Sequence, residues 1–169
     1  MKNRRKQDKS ILIWQYIIGS GVLLTVLAFS LLNIFNLSME PYQSAKSNSI
    51  ELAHKYAGVS RIDSFAIYNG EKSYYSLLGE TNQKRQRAVL IEKSSGKIFV
   101  YELKDGASQE EAENVAKENG ATRIDKVTFG YLNGQPIWEI KSGRSYYNVG
   151  FESKTLLSKE GLWNYRSAY

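Results

Sequence analysis

The side chains that most often carry out chemistry in proteins are scarce in this chain. Its 169 residues include one histidine, His54, and no cysteine. A metal site needs three or four such ligands, and a Ser-His-Asp set would have to use His54 without a Gly-x-Ser-x-Gly motif. We therefore expect His54 to lie on a helix surface, and we predict a protein without catalytic, metal or cofactor sites. Composition alone does not exclude a catalytic Ser-Lys pair.

A short motif occurs twice and is the next candidate for a site. Arginine and aspartate two residues apart on a strand point to one face, where they can form an ion pair. The glycine of each copy fits the position that ends a helix. A repeated ligand site is the alternative, but repeats preserve packing and turns more readily than sites. The residues predicted to form this structural repeat are Gly58, Arg61 and Asp63, then Gly120, Arg123 and Asp125.

Aromatic residues give the better indication of function. Adjacent tyrosines on a strand point to opposite faces, so one of each pair should be exposed. Tyr and Trp are enriched at protein interfaces, and as a group these residues predict a surface that binds a protein or a glycan. Strand propensity alone also explains single members. The predicted partner-binding residues are Tyr74, Tyr75, Trp138, Tyr146 and Tyr147.

The first of two predicted units, residues 44–103, has apolar residues at helical spacing before Gly58. Strand-like segments follow at residues 62–68, 72–78 and 87–92, and a turn at 94–96 leads into residues 97–103. The dipeptide at Asn69 and Gly70 predicts a tight hairpin turn. Each copy of the motif thus ends a helix and begins a strand.

The second predicted unit, residues 104–169, repeats this order. Ser108 and Glu111 form a capping box at the start of its helix, and strand-like segments follow at 123–132, 135–142 and 146–151. An Asn-Gly dipeptide recurs at Asn133, and the register aligns Tyr74 with Trp138. The matches in order indicate a duplication. We predict an α+β fold with two tandem units, each a helix followed by a three-stranded antiparallel sheet, that pack together.

The positive charge of the chain is concentrated at its beginning. The formal net charge is +6, and residues 1–10 form a basic tail. Nucleic-acid binding needs a concentrated basic face. The nearest cluster in the rest of the chain is Lys84, Arg85 and Arg87, which we interpret as a solvated hairpin. We therefore expect no nucleic-acid partner.

An uncharged, apolar segment follows the tail at residues 11–37. It exceeds the about 20 residues that a helix needs to cross a bilayer, and it predicts a single transmembrane helix followed by a linker at 38–43. A cleaved signal peptide is the alternative, but its apolar region is usually shorter and ends at a small-residue cleavage site. Because positive residues stay cytoplasmic, we expect the chain beyond the linker to lie outside the cell membrane.

Three short stretches carry a family resemblance: Ile137 to Ile140, the strand with Tyr74 and Tyr75, and Ser95 to Ile98. With the tail and anchor, they resemble the TseB-like (YpmB-like) cell-wall elongation regulators of low-GC Gram-positive bacteria. The resemblance implies two PepSY-like, cystatin-like subdomains and a non-catalytic protein that binds a penicillin-binding protein. The second unit departs from the family's Gly-Lys-Ile ending at Lys154. A protease-inhibiting PepSY-type module and an exported Ser-Lys hydrolase are the alternative functions.

Overall fold

The computed structural model describes the backbone of residues 4–161 and the side chains of residues 14–34 and 41–161. Residues 1–3 of the predicted tail and residues 162–169 of the second predicted unit lie outside the described residues. The chain divides into two parts, Met1–Ala45 and Lys46–Tyr169. Both predicted repeats fall in the second part, except that residues 44 and 45 of the first repeat belong to the first part.

The described residues of the first part lie in a helix, α1, that extends over Arg4–Ala57. Within α1, Trp14–Ile34 has a mean hydropathy of 2.2 and is long and apolar enough to span a membrane. Every side chain of this segment is exposed within the protein. Residues 38–43, predicted as a linker, are also helical and include Pro41. The predicted domain boundaries remain predictions.

Two antiparallel sheets form most of the second part, each with its strands in chain order. The first sheet contains β1 (Val59–Asn69), β2 (Ser73–Thr81), β3 (Gln86–Glu92) and β4 (Ile98–Glu102). A 3₁₀ turn at Leu103–Asp105 and helix α2 (Gln109–Glu118) follow. The second sheet contains β5 (Lys126–Leu132), β6 (Gln135–Ser142), β7 (Ser145–Gly150) and β8 (Leu156–Gly161).

The α+β class and the tandem order are therefore as predicted, but each sheet has four strands instead of three. The edge strand β4, Ile98–Glu102, lies within the segment 97–103 that follows the predicted turn, and β8 lies in a segment for which no strand was predicted. The segment from Arg123 to Asp125, predicted as the start of a strand, is irregular. It leads into β5, which begins at Lys126.

Both helices of the repeats end at the predicted glycines. Gly58 has φ +60° and Gly120 has φ +98°, the left-handed conformation in which glycine carries no steric penalty. After α2, the amide of Gly120 donates to Lys117 and that of Ala121 donates to Ala116, which is the Schellman arrangement. The predicted capping box between Ser108 and Glu111 begins α2.

Arg87 closes the end of α1 from the neighbouring sheet. Its guanidinium donates to the carbonyl of Ala57 and, through Nε, to Glu102 Oε1 at 2.7 Å. Only 18% of the Arg87 side chain is exposed. The interpretation of the cluster around Arg87 as a solvated hairpin is therefore wrong for this residue, because a buried arginine needs a carboxylate and acceptors that only the tertiary structure supplies.

The two Asn-Gly dipeptides form different turns. Asn133 and Gly134 have φ +50° and +82°, as a two-residue type I′ hairpin requires. In the first unit Asn69 pairs with Ser73, so residues 70–72 form a three-residue loop. Gly70 has another role, since an added Cβ would lie 2.4 Å from Tyr68 Oη. The predicted hairpin is confirmed, but its predicted tight turn is wrong.

Two apolar clusters cover the two faces of the first sheet. On one face, Leu77, Val89 and Ile91 pack with Ala53 and Ala57 of α1. The other face contributes to a larger cluster that also includes α2 and the second sheet. The buried aromatic and aliphatic members of that cluster include Tyr68, Tyr74, Leu90, Phe129, Ile137, Trp138, Ile140, Tyr147, Val149 and Phe151. The two units thus pack against each other through a shared core, as predicted.

Close packing between the sheets depends on Gly130. Strand β5 contacts β1, β2 and β3 of the first sheet. A Cβ at Gly130 would lie 2.5 Å from Cδ2 of Tyr68, and Tyr68 is only 2% exposed. Because both the ring and the strand are confined in the core, neither has room to move away.

We expect Gly130→Ala to lower the free energy of unfolding by about 1–3 kcal/mol, the usual cost of overpacking a core. Urea unfolding of the full chain in detergent, followed by near-ultraviolet circular dichroism, measures the change. Gly161→Ala is the matched control because a Cβ there meets no atom within 4 Å. Equal losses in the two variants would contradict the close contact between Tyr68 and Gly130.

Candidate functional site

Three hairpin turns meet beside the contact between the two sheets and enclose a groove of about 520 Å³. Glu71 comes from the β1–β2 loop, Ser95 from the β3–β4 turn and Gly134 from the β5–β6 turn. We call this the junction groove. Its remaining lining residues are Lys72, Tyr74, Glu92, Lys97, Phe99 and Tyr131.

Three aromatic rings from both sheets form the apolar part of the junction groove. The rings of Phe99 and Tyr131 stack with centroids 5.0 Å apart, and Tyr74 lies 5.8 Å from Tyr131. Lys97 Nζ lies 4.8 Å from the centre of the Phe99 ring, within the range of a cation–π contact. Tyr131 donates its hydroxyl to the carbonyl of Gly134 at 2.7 Å. The groove therefore exists only when the sheets are packed together.

The charged part of the junction groove centres on a buried carboxylate. Glu92 is 5% exposed, and its Oε1 lies 2.9 Å from Lys72 Nζ and accepts from Ser94 Oγ at 2.9 Å. The Lys72 ammonium, with the Ser94 and Ser95 side chains, holds the pKa of Glu92 below its usual value. Burial, with Glu92 nearby, raises the pKa of Tyr74. A carboxylate held by these donors is suited to binding rather than to proton transfer.

Three of the predicted partner-binding residues lie in the core. Tyr74 is 3% exposed, Trp138 1% and Tyr147 2%. Trp138 donates Nε1–H to the carbonyl of Ala107 at 2.8 Å, as a buried indole requires. With so little exposed surface these side chains cannot be the main contacts of a partner, and burial corrects the prediction for them. Tyr74 reaches the junction groove only as part of its wall.

The other two predicted residues, Tyr75 and Tyr146, are half-buried and lie apart from the junction groove. Tyr75 points to the α1 side of the first sheet and stacks on Phe65 at 5.9 Å. Tyr146 lies on the second sheet with Lys141 Nζ 6.0 Å from its ring centre. One tyrosine of each adjacent pair is buried and the other half-buried, so the alternation is as expected. A partner contact by Tyr75 or Tyr146 remains a prediction.

The repeated arginine and aspartate form the ion pairs that their spacing predicts. The distance from the arginine Nε to the aspartate Oδ1 is 2.9 Å for Arg61 and Asp63, and 2.9 Å for Arg123 and Asp125. Asp125 also accepts from the amide of Gly143 at 2.6 Å. The first pair lies on β1, and the second lies in the irregular segment that precedes β5.

The groove residues Phe99, Tyr131, Lys72 and Glu92 were absent from the sequence prediction. The signal that could have found these residues is their position in the sequence. Each of them lies within a few residues of a predicted turn, where strand ends meet neighbouring loops. Nothing in the sequence indicates that turns from different sheets converge. That convergence follows from the packing of β5 on the first sheet.

Residues considered for catalysis are not arranged for it in the part of the chain that the structure describes. His54 is exposed, and its Nδ1 contacts the carbonyl of Val59. No lysine with a described side chain is buried, although a Ser-Lys hydrolase needs a desolvated lysine. Another cavity, of about 610 Å³, is lined by Leu78, Leu103 and Trp138 together with charged side chains. Its Glu102 is already bound by Arg87.

We expect Lys72→Met to raise the pKa of Glu92. The folded pKa of Glu92 lies below the ordinary glutamate value of about 4.3. Its stabilising contribution is thus complete above that value and is lost as pH falls through the lower folded pKa. Without Lys72 the contribution becomes smaller and disappears at higher pH. A ¹³C NMR titration of the Glu92 carboxyl in the full chain in detergent measures the shift.

Lys117→Met is the control for this titration, because Lys117 is exposed in the last turn of α2, outside the groove. It should leave the pKa of Glu92 unchanged. An unchanged pKa in Lys72→Met would show that the ammonium does not act on the carboxylate.

Comparisons with known proteins address the identity of this fold. Residues 48–92 match the family model described as "Cell wall elongation regulator TseB-like domain". The solved structure of the YpmB protein from Bacillus subtilis aligns with a TM-score of 0.60 and 21% identity, covering 68% of this chain and 95% of that chain. A Clostridium difficile 630 protein aligns with a TM-score of 0.37 and 12% identity, covering 68% and 91%. No curated protein sequence matches the chain.

The family match covers the end of α1 and the strands β1 to β3, which contribute Lys72, Tyr74 and Glu92 to the junction groove. The likeness to YpmB extends the fold assignment to most of the chain. The matched description is that of a regulator and does not favour the protease-inhibitor or hydrolase alternatives. Residues 48–92 thus match a TseB-like domain, and the α+β fold of the chain is that of YpmB.

Proposed function

We propose that this protein is a single-pass membrane-anchored regulator of cell-wall elongation that binds a penicillin-binding protein outside the membrane. The observation that carries the proposal is the match of residues 48–92 to a family described as a cell wall elongation regulator. The protein acts through contacts rather than catalysis, and its partner is a synthase of peptidoglycan.

The apolar segment of α1 supports the anchor. Trp14–Ile34 spans 21 residues, which matches a hydrocarbon core of about 30 Å. Its large side chains are exposed, for example 65% for Leu24 and 69% for Phe29, and such an all-round apolar surface suits lipid. Trp14 and Tyr16 stand near the basic end, where aromatic rings favour the interface. The basic tail favours an orientation with the N-terminus in the cytoplasm and the sheets outside.

The junction groove is the surface that we assign to the partner. Half-exposed aromatic rings beside a desolvated charge resemble the centres of protein interfaces. Phe99 and Tyr131 supply the rings, while Lys97 and Glu71 supply exposed charges of both signs at the rim. The groove presents one surface built from both units, which is a reason for the units to be kept together.

Photo-crosslinking in cells tests the partner. A photoreactive phenylalanine at Phe99 or Lys97 of the full chain should form an adduct that a fluorescent penicillin labels. The same label at Lys117, on the exposed side of α2, is the matched control and should give several-fold less adduct. Labels at Tyr75 and Tyr146 test the two remaining predicted contact residues in the same experiment.

Failure to capture any penicillin-labelled protein from the two groove positions, with expression and photolysis verified, would overturn the partner assignment. Equal capture from Lys117 would show that the contact is not made through the groove.

Protease treatment of intact protoplasts tests the orientation separately. Protease added outside should digest the chain beyond residue 40, because the basic tail holds the N-terminus inside. An epitope at the N-terminus should survive until the protoplasts are lysed. Protection of the sheets in intact protoplasts would reverse the proposed topology.

A further inference from the structure

The outer edge of β4 presents backbone groups that no other described strand pairs with. The first sheet ends at β4, whose strand partner is β3 alone among the described strands. The Glu92 amide donates to the carbonyl of Lys97 at 2.9 Å, and this bond fixes the alternation of the ladder. Phe99 is therefore also bonded to β3, whereas the N–H and C=O groups of Ile98 and Val100 point away from it.

The other three edges of the two described sheets are protected, each in a different way. Strand β1 has two register shifts against β2, and β5 lies over the first sheet. Strand β8 has a register shift against β7 and the charged side chains of Lys159 and Glu160. By contrast, β4 pairs with β3 in continuous register, and its residues from Ile98 to Tyr101 are uncharged. Such an edge is a template for another strand.

Val100 adds an exposed apolar side chain to this edge. It is 41% exposed, although it pairs with buried Val89, a member of the apolar cluster on the α1 side of the sheet. Ile98, on the same side, is partly buried against that cluster. A strand added outside β4 extends the sheet beside both side chains and buries more of Val100.

The edge of β4 continues into the junction groove on the other side of the sheet. Successive side chains alternate between the two faces of a strand. Lys97 and Phe99 line the groove, so Ile98 and Val100 face the α1 side. A strand paired with β4 therefore places every second side chain next to the groove. Edge and groove form one surface that a single extended segment can occupy.

Basic side chains flank β4 at both ends. Lys97 precedes the strand, Lys104 follows it, and both are exposed. Neither lysine forms an ion pair with another described residue. Glu102, at the end of β4, is bound by Arg87 and so offsets little of this charge. Charge complementarity therefore favours a segment with acidic residues at its ends.

We propose that β4 receives an extended segment of the partner as an additional antiparallel strand, with apolar residues at its centre and acidic residues at its ends. The identity of the partner rests on the proposed function, whereas the mode of binding rests on β4 itself. The segment exchanges backbone hydrogen bonds with Ile98 and Val100, and its alternate side chains lie beside Val100 and Phe99. In this mode the main chain gives affinity and the side-chain positions give specificity.

A peptide tests the mode of binding on the unaltered full chain in detergent micelles, without a penicillin-binding protein. The probe is acetyl-Glu-Thr-Thr-Val-Leu-Val-Glu amide, which sets its first valine opposite Val100, its leucine opposite Phe99 and its last glutamate opposite Lys97. Amide exchange with water, followed by ¹⁵N NMR, should slow at Ile98 and Val100. At a probe concentration of about ten times its Kd the slowing should be about tenfold. The Phe99 amide, already bonded to β3, should change least.

Methylation of alternate peptide nitrogens provides the matched control. Methyl groups on the two valines remove the donors to the carbonyls of Val100 and Ile98, and should weaken binding about tenfold. Methyl groups on the second threonine and the leucine point away from β4 and should leave binding nearly unchanged. Lysine in place of both glutamates should weaken binding several-fold at low salt.

Photo-crosslinking in cells then tests whether the partner uses this edge. A photoreactive phenylalanine at Val100 of the full chain should capture the penicillin-labelled protein. The same label at Leu157, an apolar residue of β8 with a similar exposure of 38%, should capture several-fold less. Capture from Phe99 without capture from Val100 would leave the proposed function intact and overturn strand addition to β4.

Three results with the isolated protein would also overturn the proposal. The first is unchanged exchange at Ile98 and Val100 up to about 10 mM probe, a concentration that covers weak sites. The second is equal binding of the two methylated peptides, which would show that the backbone does not pair. The third is a dimer in analytical ultracentrifugation whose Val100 amide is protected without probe, which would assign the edge to a second copy of this chain.

Discussion

The contact between the ring of Tyr68 and the backbone of Gly130 sets how closely the two sheets approach. Each sheet has one face covered by a helix and would leave the other face exposed. Because glycine has no side chain, β5 lies directly over the first sheet. The shared core and the junction groove both follow from that approach. A larger residue at 130 would separate the surfaces that form them.

The two tandem units contain the same kinds of element, but they use them differently. In the first unit the helix is the end of α1, and Arg87 closes it from the sheet. In the second unit α2 is a separate helix of 10 residues with its own cap at each end. The recurring Asn-Gly dipeptide makes a two-residue turn only in the second unit. Local sequence therefore sets where an element ends, while its neighbours set the detailed geometry.

Local signals allowed much of the fold to be predicted. The capping box at Ser108, the helix stops at Gly58 and Gly120, and the strand at residues 135–142 depend on nearby residues, and all are present. The strand β8 was missed because an edge strand of mostly polar residues has little apolar alternation. Burial of Trp138 was missed because aromatic content does not distinguish a core ring from a surface ring. The junction groove depends on which strands become neighbours.

The junction groove has a thermodynamic consequence because its rings come from both sheets. Phe99 and Tyr131 keep their stacked arrangement only while the sheets remain in contact. A molecule that binds both rings therefore binds the assembled form and not the separated one. By linkage, its binding free energy adds to the resistance of the sheets to separation. Occupancy of the groove should then be detectable far from it, as slower hydrogen exchange of amides at the base of the shared core.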